Sequence, residues 1–376
     1  MGTVRSLSNS LLKLLIAVQE EPLATVEQLS KRTGISKPTV AKKMRILEGI
    51  KSSERIRDHP EGRYFTIAPI IDNPAIGLEY YGVVVETSSI RNMMKLEKLG
   101  DEHPYTQYRI RCFGRNNGVF FQFRIPFGTK PLLEELLEDL KNRGVLTNAT
   151  PLPPEQSPPV YTNLSVSGWD GSKMGWEFNW DEWFEFQKSD RGATKTPRKP
   201  GLALDWLTKR DVHIIHEVMQ GARRKNLEII QALNDKGVAY TPQTFSRRYK
   251  MIQKDCFEGY RANFDPTVFD IYNSVIIMGE GTKSYLQKLK AKLISEPIPF
   301  QTTLRVSENH LFWYLRLQSI HLSKVISNLY RDLKNMSIWN ADYASSMSYY
   351  VWPEAFDDGE RKWRTDHDFL VGNFLK

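Results

Sequence analysis

The sequence predicts an α+β protein in which one set of elements is built twice along a single chain. Three observations carry that prediction. First, Ser36 to Glu48 aligns without a gap on Thr241 to Gln253, 205 positions later. In both, a hydroxyl residue opens the segment and proline follows within two residues. Apolar residues then recur at helical spacing: Val40, Met44 and Leu47, or Phe245, Tyr249 and Ile252. Second, each of these helices follows a shorter helical stretch with a glycine turn and precedes a run of strands and helices. Third, further matches are colinear. Val83-Val84-Val85 lies on Val275-Ile276-Ile277, Asp139 to Asn142 on Asp332 to Asn335, and Trp176 and Asp181 on Trp363 and Asp368, at offsets of 192, 193 and 187. Offsets that drift in this way are what loop insertions and deletions leave in an internal duplication.

Residues 1–70 read as helix, helix, turn, helix, hairpin. Ser8 or Asn9 can cap a helix whose apolar face is Leu11, Leu12, Leu15, Ile16 and Val18. Thr25-Val26-Glu27-Gln28 has the form of a capping box for a second short helix, Val26 to Arg32. Gly34 supplies a left-handed turn, Ile35 plugs the space between helices, and Ser36 caps the third. Pro38 is tolerated there because first-turn amides have no intrahelical acceptor. Arg55-Ile56-Arg57 and Arg63 to Ile67, around His59-Pro60-Glu61-Gly62, read as a β-wing, which makes the unit a winged helix-turn-helix.

Residues 76–150 change character. Tyr80 to Val85 reads as a buried strand, Ser89 to Leu99 as a helix, and Tyr108 to Phe113 with Val119 to Ile125 as a hairpin. Leu132 to Asn142 is an amphipathic helix, and a strand begins near Val145. The order βαββαβ predicts a ferredoxin-like sandwich whose helices cover one sheet face and leave the other for a partner. Residues 151–188 are rich in proline and tryptophan (Trp169, Trp176, Trp180, Trp183), and these rings are expected to bury against a sandwich or at a dimer contact. Residues 189–205 have the composition of a basic linker.

After the linker the pattern recurs. A second winged unit is expected over 206–266, with helices Asp211 to Met219, Leu227 to Asn234 and Thr241 to Gln253 and a wing near Phe257 to Phe264. A second βαββαβ unit follows over 267–345, and a Trp-containing extension over 346–376. The whole is predicted to form an internal pseudo-dimer, with further self-association through the sandwich domains.

Hydrophobic content of 40% and aromatic content of 11% exclude a mostly disordered chain. The net charge of +8 is unevenly placed: residues 31–57 hold nine Lys/Arg against two Glu, and residues 223–261 hold nine against four acids. The remainder is net acidic, so two polyanion-binding patches are expected. Cys112 and Cys256 read as small apolar core residues. No signal-like segment or run of 18 apolar residues occurs, so a soluble, cytoplasmic, nucleoid-associated chain without membrane contact is expected. His213 and His216 lack Cys or carboxylate neighbours, so neither metal nor other cofactor is expected. With no phosphate loop, nucleophile elbow or paired catalytic carboxylates, the expectation is that the chain is not an enzyme.

Double-stranded DNA is the expected partner. A helix that enters the major groove must present donors to base edges and phosphates. Lys37, Thr39, Lys42, Lys43 and Arg45 are the candidates in the first copy, and Gln243, Thr244, Arg247, Arg248 and Lys250 in the second. Gln243 suits adenine and Arg247 guanine, whereas the first copy offers mainly lysine and should discriminate less. Arg55, Arg57 and Arg63 of the wing are expected on backbone or minor groove. Because the two heads differ, the preferred site need not be palindromic, and its two contacts should lie one or two helical turns apart.

A winged helix-turn-helix followed by βαββαβ resembles the Lrp/AsnC transcriptional regulators, and the chain looks like two such protomers fused, over roughly 1–150 and 206–345. The resemblance implies sequence-specific regulation of transcription, with the two sandwich sheets pairing face to face. It also implies an effector loop of Gly-x-x-Asp-Tyr type, from which Phe113 to Val119 and Ser307 to His310 depart, so the small-molecule effector is left open. Two alternatives stand beside it. One is an architectural protein that coats DNA with little preference. The other is a sirohaem decarboxylase, which shares the architecture; His103, Tyr105, Arg109 and Arg111 would then line a tetrapyrrole pocket. The basic faces kept by both helix-turn-helix copies favour DNA.

Overall fold

The computed structural model describes residues 7–49, 63–114, 116–152, 159–185 and 200–375; Arg55, Arg57 and most of the expected linker lie outside them. The first head comprises α1 (Asn9–Glu20), α2 (Val26–Thr33) and α3 (Lys37–Leu47), followed by β1 (Phe65–Ile71). The first sandwich runs β2 (Leu78–Glu86), α4 (Ile90–Glu102), β3 (Thr106–Gly114), β4 (Gly118–Pro126), α5 (Lys130–Asn142) and β5 (Asn148–Pro151). Its extension contains β6 (Val160–Thr162) and α6 (Trp180–Trp183). The second head is α7 (Lys209–Met219), α8 (Asn226–Asp235), α9 (Pro242–Asp255) and β7 (Phe257–Phe264). The second sandwich is β8 (Asn273–Glu280), α10 (Lys283–Ser295), β9 (Gln301–Val306), β10 (His310–Arg316), α11 (Ser319–Tyr330) and β11 (Lys334–Ser348), and α12 (His367–Leu370) lies near the end.

The first head packs on Leu14, Leu15, Val18, Leu29, Val40, Met44 and Leu47, all buried. Both bonds of the Thr25–Gln28 capping box form, and Gly34 adopts φ of 70°. Ser36 stands at the N-cap of α3 but does not cap a backbone amide. Its hydroxyl instead meets Thr39 Oγ1 at 2.9 Å. In the second head Thr241 does cap, accepting from the Thr244 amide at 3.2 Å.

Among the described residues, the strand that follows each head pairs with the strand that follows the other. β1 lies antiparallel to β7, with Phe65 opposite Phe264 and Ile67 opposite Ala262. β1 buries alternate residues, Phe65, Ile67 and Ile71 among them, and β7 buries Ala262 and Phe264 near one end and Phe257 beyond the register shift at Ile70/Ile71, so each supplies the partner the other needs. The segment expected as a second hairpin is one strand of a ribbon shared by both heads.

Both sandwiches have the βαββαβ order, and their strands belong to one antiparallel sheet, β5-β2-β4-β3-β11-β8-β10-β9-β6. Within each unit the fourth strand lies beside the first, and the third lies between first and second. The long β11 joins the units, pairing with β8 through Ile338–Ile277 and with β3 through Ser348–Tyr108. At the other limit β5 pairs with β2 and β6 with β9, so both edges end on the same stretch of chain. The sheet therefore curls until its inner faces meet. Phe120 and Phe312 have ring centroids 5.5 Å apart, the Tyr108 and Tyr314 hydroxyls are 3.1 Å apart, and Val84, Ile110, Ile276 and Trp339 complete this inner core. The faces pair as the resemblance implied, and the edges are shared as well.

Trp169, Trp176, Trp180 and Trp183 of the first extension and Trp363 of the second are buried, each on the opposite copy, whereas Trp352 is exposed. Trp176 packs on Phe300 at 5.6 Å and Trp183 on Trp313 at 6.2 Å, both of the second sandwich. Asp181 receives Lys324 Nζ at 2.7 Å and Asn328 Nδ2 at 2.9 Å. In return, Trp363 donates Nε1 to the Ile76 carbonyl at 2.6 Å, and Phe369 packs edge-on against Tyr105. Each extension straps the other half.

Candidate nucleic-acid interface

Helical spacing decides which side chains of α3 are available. Val40, Met44 and Leu47 turn inward. Lys37, Lys42, Arg45 and Ile46 are exposed, and Thr39 and Lys43 are half-buried. Lys37 Nζ lies 2.7 Å from Glu27 Oε1, and this hydrogen bond lowers the Glu27 carboxyl from its ordinary value. Both partners are solvated, so exchanging the carboxylate for a phosphate would cost little. Arg63 is half-buried at the end of α3, where a Cβ on Gly49 would fall 2.6 Å from its Cγ.

On α9, Phe245 and Ile252 are buried, and Gln243, Arg247 and Lys250 stand in solvent. Thr244 is half-buried, with its amide on the Thr241 cap. Arg248, expected beside Arg247 on the free face, turns inward instead. Its Nε meets Asp211 Oδ1 at 2.7 Å, its Nη2 donates to the Trp206 carbonyl at 3.0 Å, and its guanidinium lies 4.9 Å from the Trp206 ring centroid. Successive helix residues differ by a third of a turn, so one of a basic pair can face solvent while the other reaches the neighbouring helix. Asp211, only 1% exposed, supplies the charge that draws Arg248 in.

Other cations of the second basic patch are also committed to the fold. Arg224 and Lys236 both pair with Glu217, a carboxylate 2% exposed at its side chain. Arg223 ties the heads together. Its Nε lies 2.9 Å from Glu48 Oε1, and its Nη1 donates to the carbonyls of Pro22 at 3.0 Å and Ala24 at 2.8 Å. Next to it, the Ala222 amide donates to the Ile67 carbonyl at 2.9 Å. A charge count does not distinguish such bonds from a free patch; the one sequence signal was Glu217, an acid on the apolar side of its helix.

The four residues suggested for a tetrapyrrole pocket do not converge on open space. His103 Nε2 lies 3.3 Å from the Leu370 carbonyl, and burial lowers its pKa to about 4. Tyr105 donates to the Arg364 carbonyl at 2.6 Å. Arg109 holds Asp101 at 2.7 Å and Glu97 at 3.1 Å, and Arg111 grips Glu97 through two bonds of 2.8 Å. Together with Ser345 and Tyr349, which also bond Arg109, they fasten the far end of the chain to the first sandwich. His213 and His216 contact Glu354 at 4.0 Å and the Val351 carbonyl at 2.9 Å respectively. No helix among the described residues is long and apolar enough to cross a membrane.

Residues 7–48 match the family described as "Winged helix-turn-helix DNA-binding". No curated protein matches the sequence. Among solved structures, the siroheme decarboxylase NirDL in co-complex with an iron-uroporphyrin III analogue is similar over 97% of both chains, with 13% identity and a TM-score of 0.52. The same decarboxylase in a second structure gives 0.50 at the same identity and coverage. Escherichia coli AsnC is 15% identical, covering 42% of this chain and 97% of its own, with a TM-score of 0.28. The duplicated winged-unit and sandwich architecture is thus that of a solved protein from end to end. That protein is an enzyme, which overturns the expectation that this chain is not one: the fold does not exclude catalysis, and the missing motifs were those of unrelated chemistries.

Proposed function

We propose that the chain is a DNA-binding regulator of transcription that lays two non-identical helices, α3 and α9, on one duplex. One observation carries the reading: both helices bury one apolar face and hold cations on the other, Lys42 and Arg45 in the first, Arg247 and Lys250 in the second. The family match over 7–48 supports it. Gln243 and Arg247, near the amino end of α9, are the base-reading candidates; Thr39, Lys42, Lys43 and Arg45 serve mainly phosphate. Arg223 and the β1–β7 ribbon hold the heads at a fixed separation, so binding of one raises the effective concentration of the other. The test is selection of preferred duplexes from a random pool: a two-part, asymmetric consensus supports the reading, and recovery of no preferred sequence from either head rejects it.

The end-to-end likeness to a siroheme decarboxylase favours a second reading, recognition of a tetrapyrrole. His103, Tyr105, Arg109 and Arg111 do not fit it, because internal partners occupy them. A visible-range titration of the purified chain with iron uroporphyrin separates the readings: a saturable shift of the Soret band supports the second, and an additive spectrum rejects it.

A further inference from the structure

Three arginines from three parts of the fold converge at one end of the curled sheet's inner face. Arg124 lies four residues beyond Phe120 on β4, and Arg305 of β9 stands opposite Phe312, so both share the face of the inner core. Tyr80 pairs with Arg124 across β2 and β4, and its ring centroid lies 5.6 Å from the Arg305 guanidinium. Arg261, opposite Ala68 in the β1–β7 ribbon, faces Tyr80, Arg124 and Tyr161. Arg124 is 7% exposed, and its Nε, like that of Arg261, is buried with no acceptor. Among the described residues, the titratable groups that face Arg124 are Tyr80 and Arg261, with no carboxylate. The duplication supplies a comparison. Arg316 holds the same place on β10, 192 positions later, and each of its guanidinium nitrogens has a partner: Nε on the Tyr314 hydroxyl at 3.2 Å, Nη1 on Gln301 Oε1 at 3.1 Å and Nη2 on the Tyr108 hydroxyl at 3.1 Å. Arg124 keeps a donor that its counterpart has satisfied. Burial holds Arg124 below the ordinary guanidinium range and lowers Arg305 to about 10. A cation withdrawn from water is costly, and an anion that reaches it recovers that cost.

We propose that this end of the inner face binds a small anion carrying two or more negative charges, as phosphate or carboxylate groups. Guanidinium suits the task because its planar fork meets two oxygens of either group at once. Arg124 and Arg261 repel each other, and a monoanion would offset that repulsion only in part, so a multiply charged ligand is selected. Tyr161, 52% exposed beside the cluster, leaves an entrance from solvent and adds a hydroxyl donor. Arg124 belongs to the first sandwich, Arg305 to the second and Arg261 to the ribbon that follows the heads, so one bound anion would tie all three together. The site depends neither on DNA binding by the heads nor on tetrapyrrole recognition.

The experiment is calorimetric titration of the full chain with pyrophosphate and with citrate at fixed ionic strength, with acetate as the monoanion control. Saturable binding at one site is expected for pyrophosphate, citrate or both, which separates phosphate from carboxylate as the source, and acetate should bind at least tenfold more weakly. Arg124→Met and Arg261→Gln should each weaken binding at least tenfold. Without ligand, Arg124→Met should keep or raise the thermal midpoint, because it removes a buried charge that faces no carboxylate. The bound anion should raise the midpoint of the wild type but not of either variant. Lys42→Ala/Arg45→Ala and Arg247→Ala/Lys250→Ala, on the heads, should leave anion binding unchanged. Saturable binding by neither polyanion, equal binding by the wild type and Arg261→Gln, or loss of binding in the head variants would overturn it.

Discussion

The guanidinium of Arg248 rests on the carboxylate of Asp211, Nε 2.7 Å from Oδ1, while the adjacent Arg247 stands in solvent. The two arginines therefore separate stability from binding. Arg248→Ala strands a buried carboxylate and should cost about 3 kcal/mol in urea unfolding. Arg247→Ala should leave the unfolding midpoint unchanged and weaken DNA binding, with the slope of log K against log salt shallower by about 1. Equal unfolding midpoints for the two variants would contradict the assignment.

Arg223 and Glu48 make a different prediction, because they join heads rather than touch DNA. Arg223→Ala loses one ion pair and two bonds to carbonyls, at a cost of about 2 kcal/mol. Fluorescence anisotropy should show weaker binding to a duplex long enough for both heads. Affinity for a short, single-head duplex should hold steady.

His103 sets a pH dependence. Burial lowers its pKa from 6.5 to about 4, so the unfolded chain takes up a proton before the folded one does. Its contribution is full above pH 6.5 and is lost as pH falls from there towards 4. That amounts to about 3 kcal/mol, at about 1.4 kcal/mol per pKa unit. His213, His216 and His321 are also lowered by burial and add in the same direction. Urea midpoints of His103→Gln measured between pH 7 and 5 should fall less steeply than those of the wild type.

Trp180 is 2% exposed, stacks on Phe300 and donates Nε1 to His321 Nδ1 at 3.2 Å. Trp180→Ala should destabilise the chain by about 3–5 kcal/mol. Because the ring belongs to the first half and its pocket to the second, the loss should appear as one cooperative transition, checked by scanning calorimetry.

Local order was legible in the sequence, and long-range partnership was not. The capping box at Thr25, the turn at Gly34 and both βαββαβ runs follow from spacing and cap chemistry, which act within a few residues. The pairing of Phe65 with Phe264 and the crossing of Trp176 to Phe300 connect residues far apart in sequence, where alternation reveals a buried face but not its partner. The same holds at the candidate interface. Periodicity placed Val40 and Phe245 inside, but Arg247 and Arg248 differ only through Asp211, which lies on another helix.

The most direct measurement is a salt titration of binding to a selected duplex by the wild type, Lys42→Ala/Arg45→Ala in the first head, and Arg247→Ala/Lys250→Ala in the second. If both heads share one duplex, each pair should reduce affinity and flatten the salt slope by about 2. A slope unaltered by either pair would contradict simultaneous engagement of the two helices.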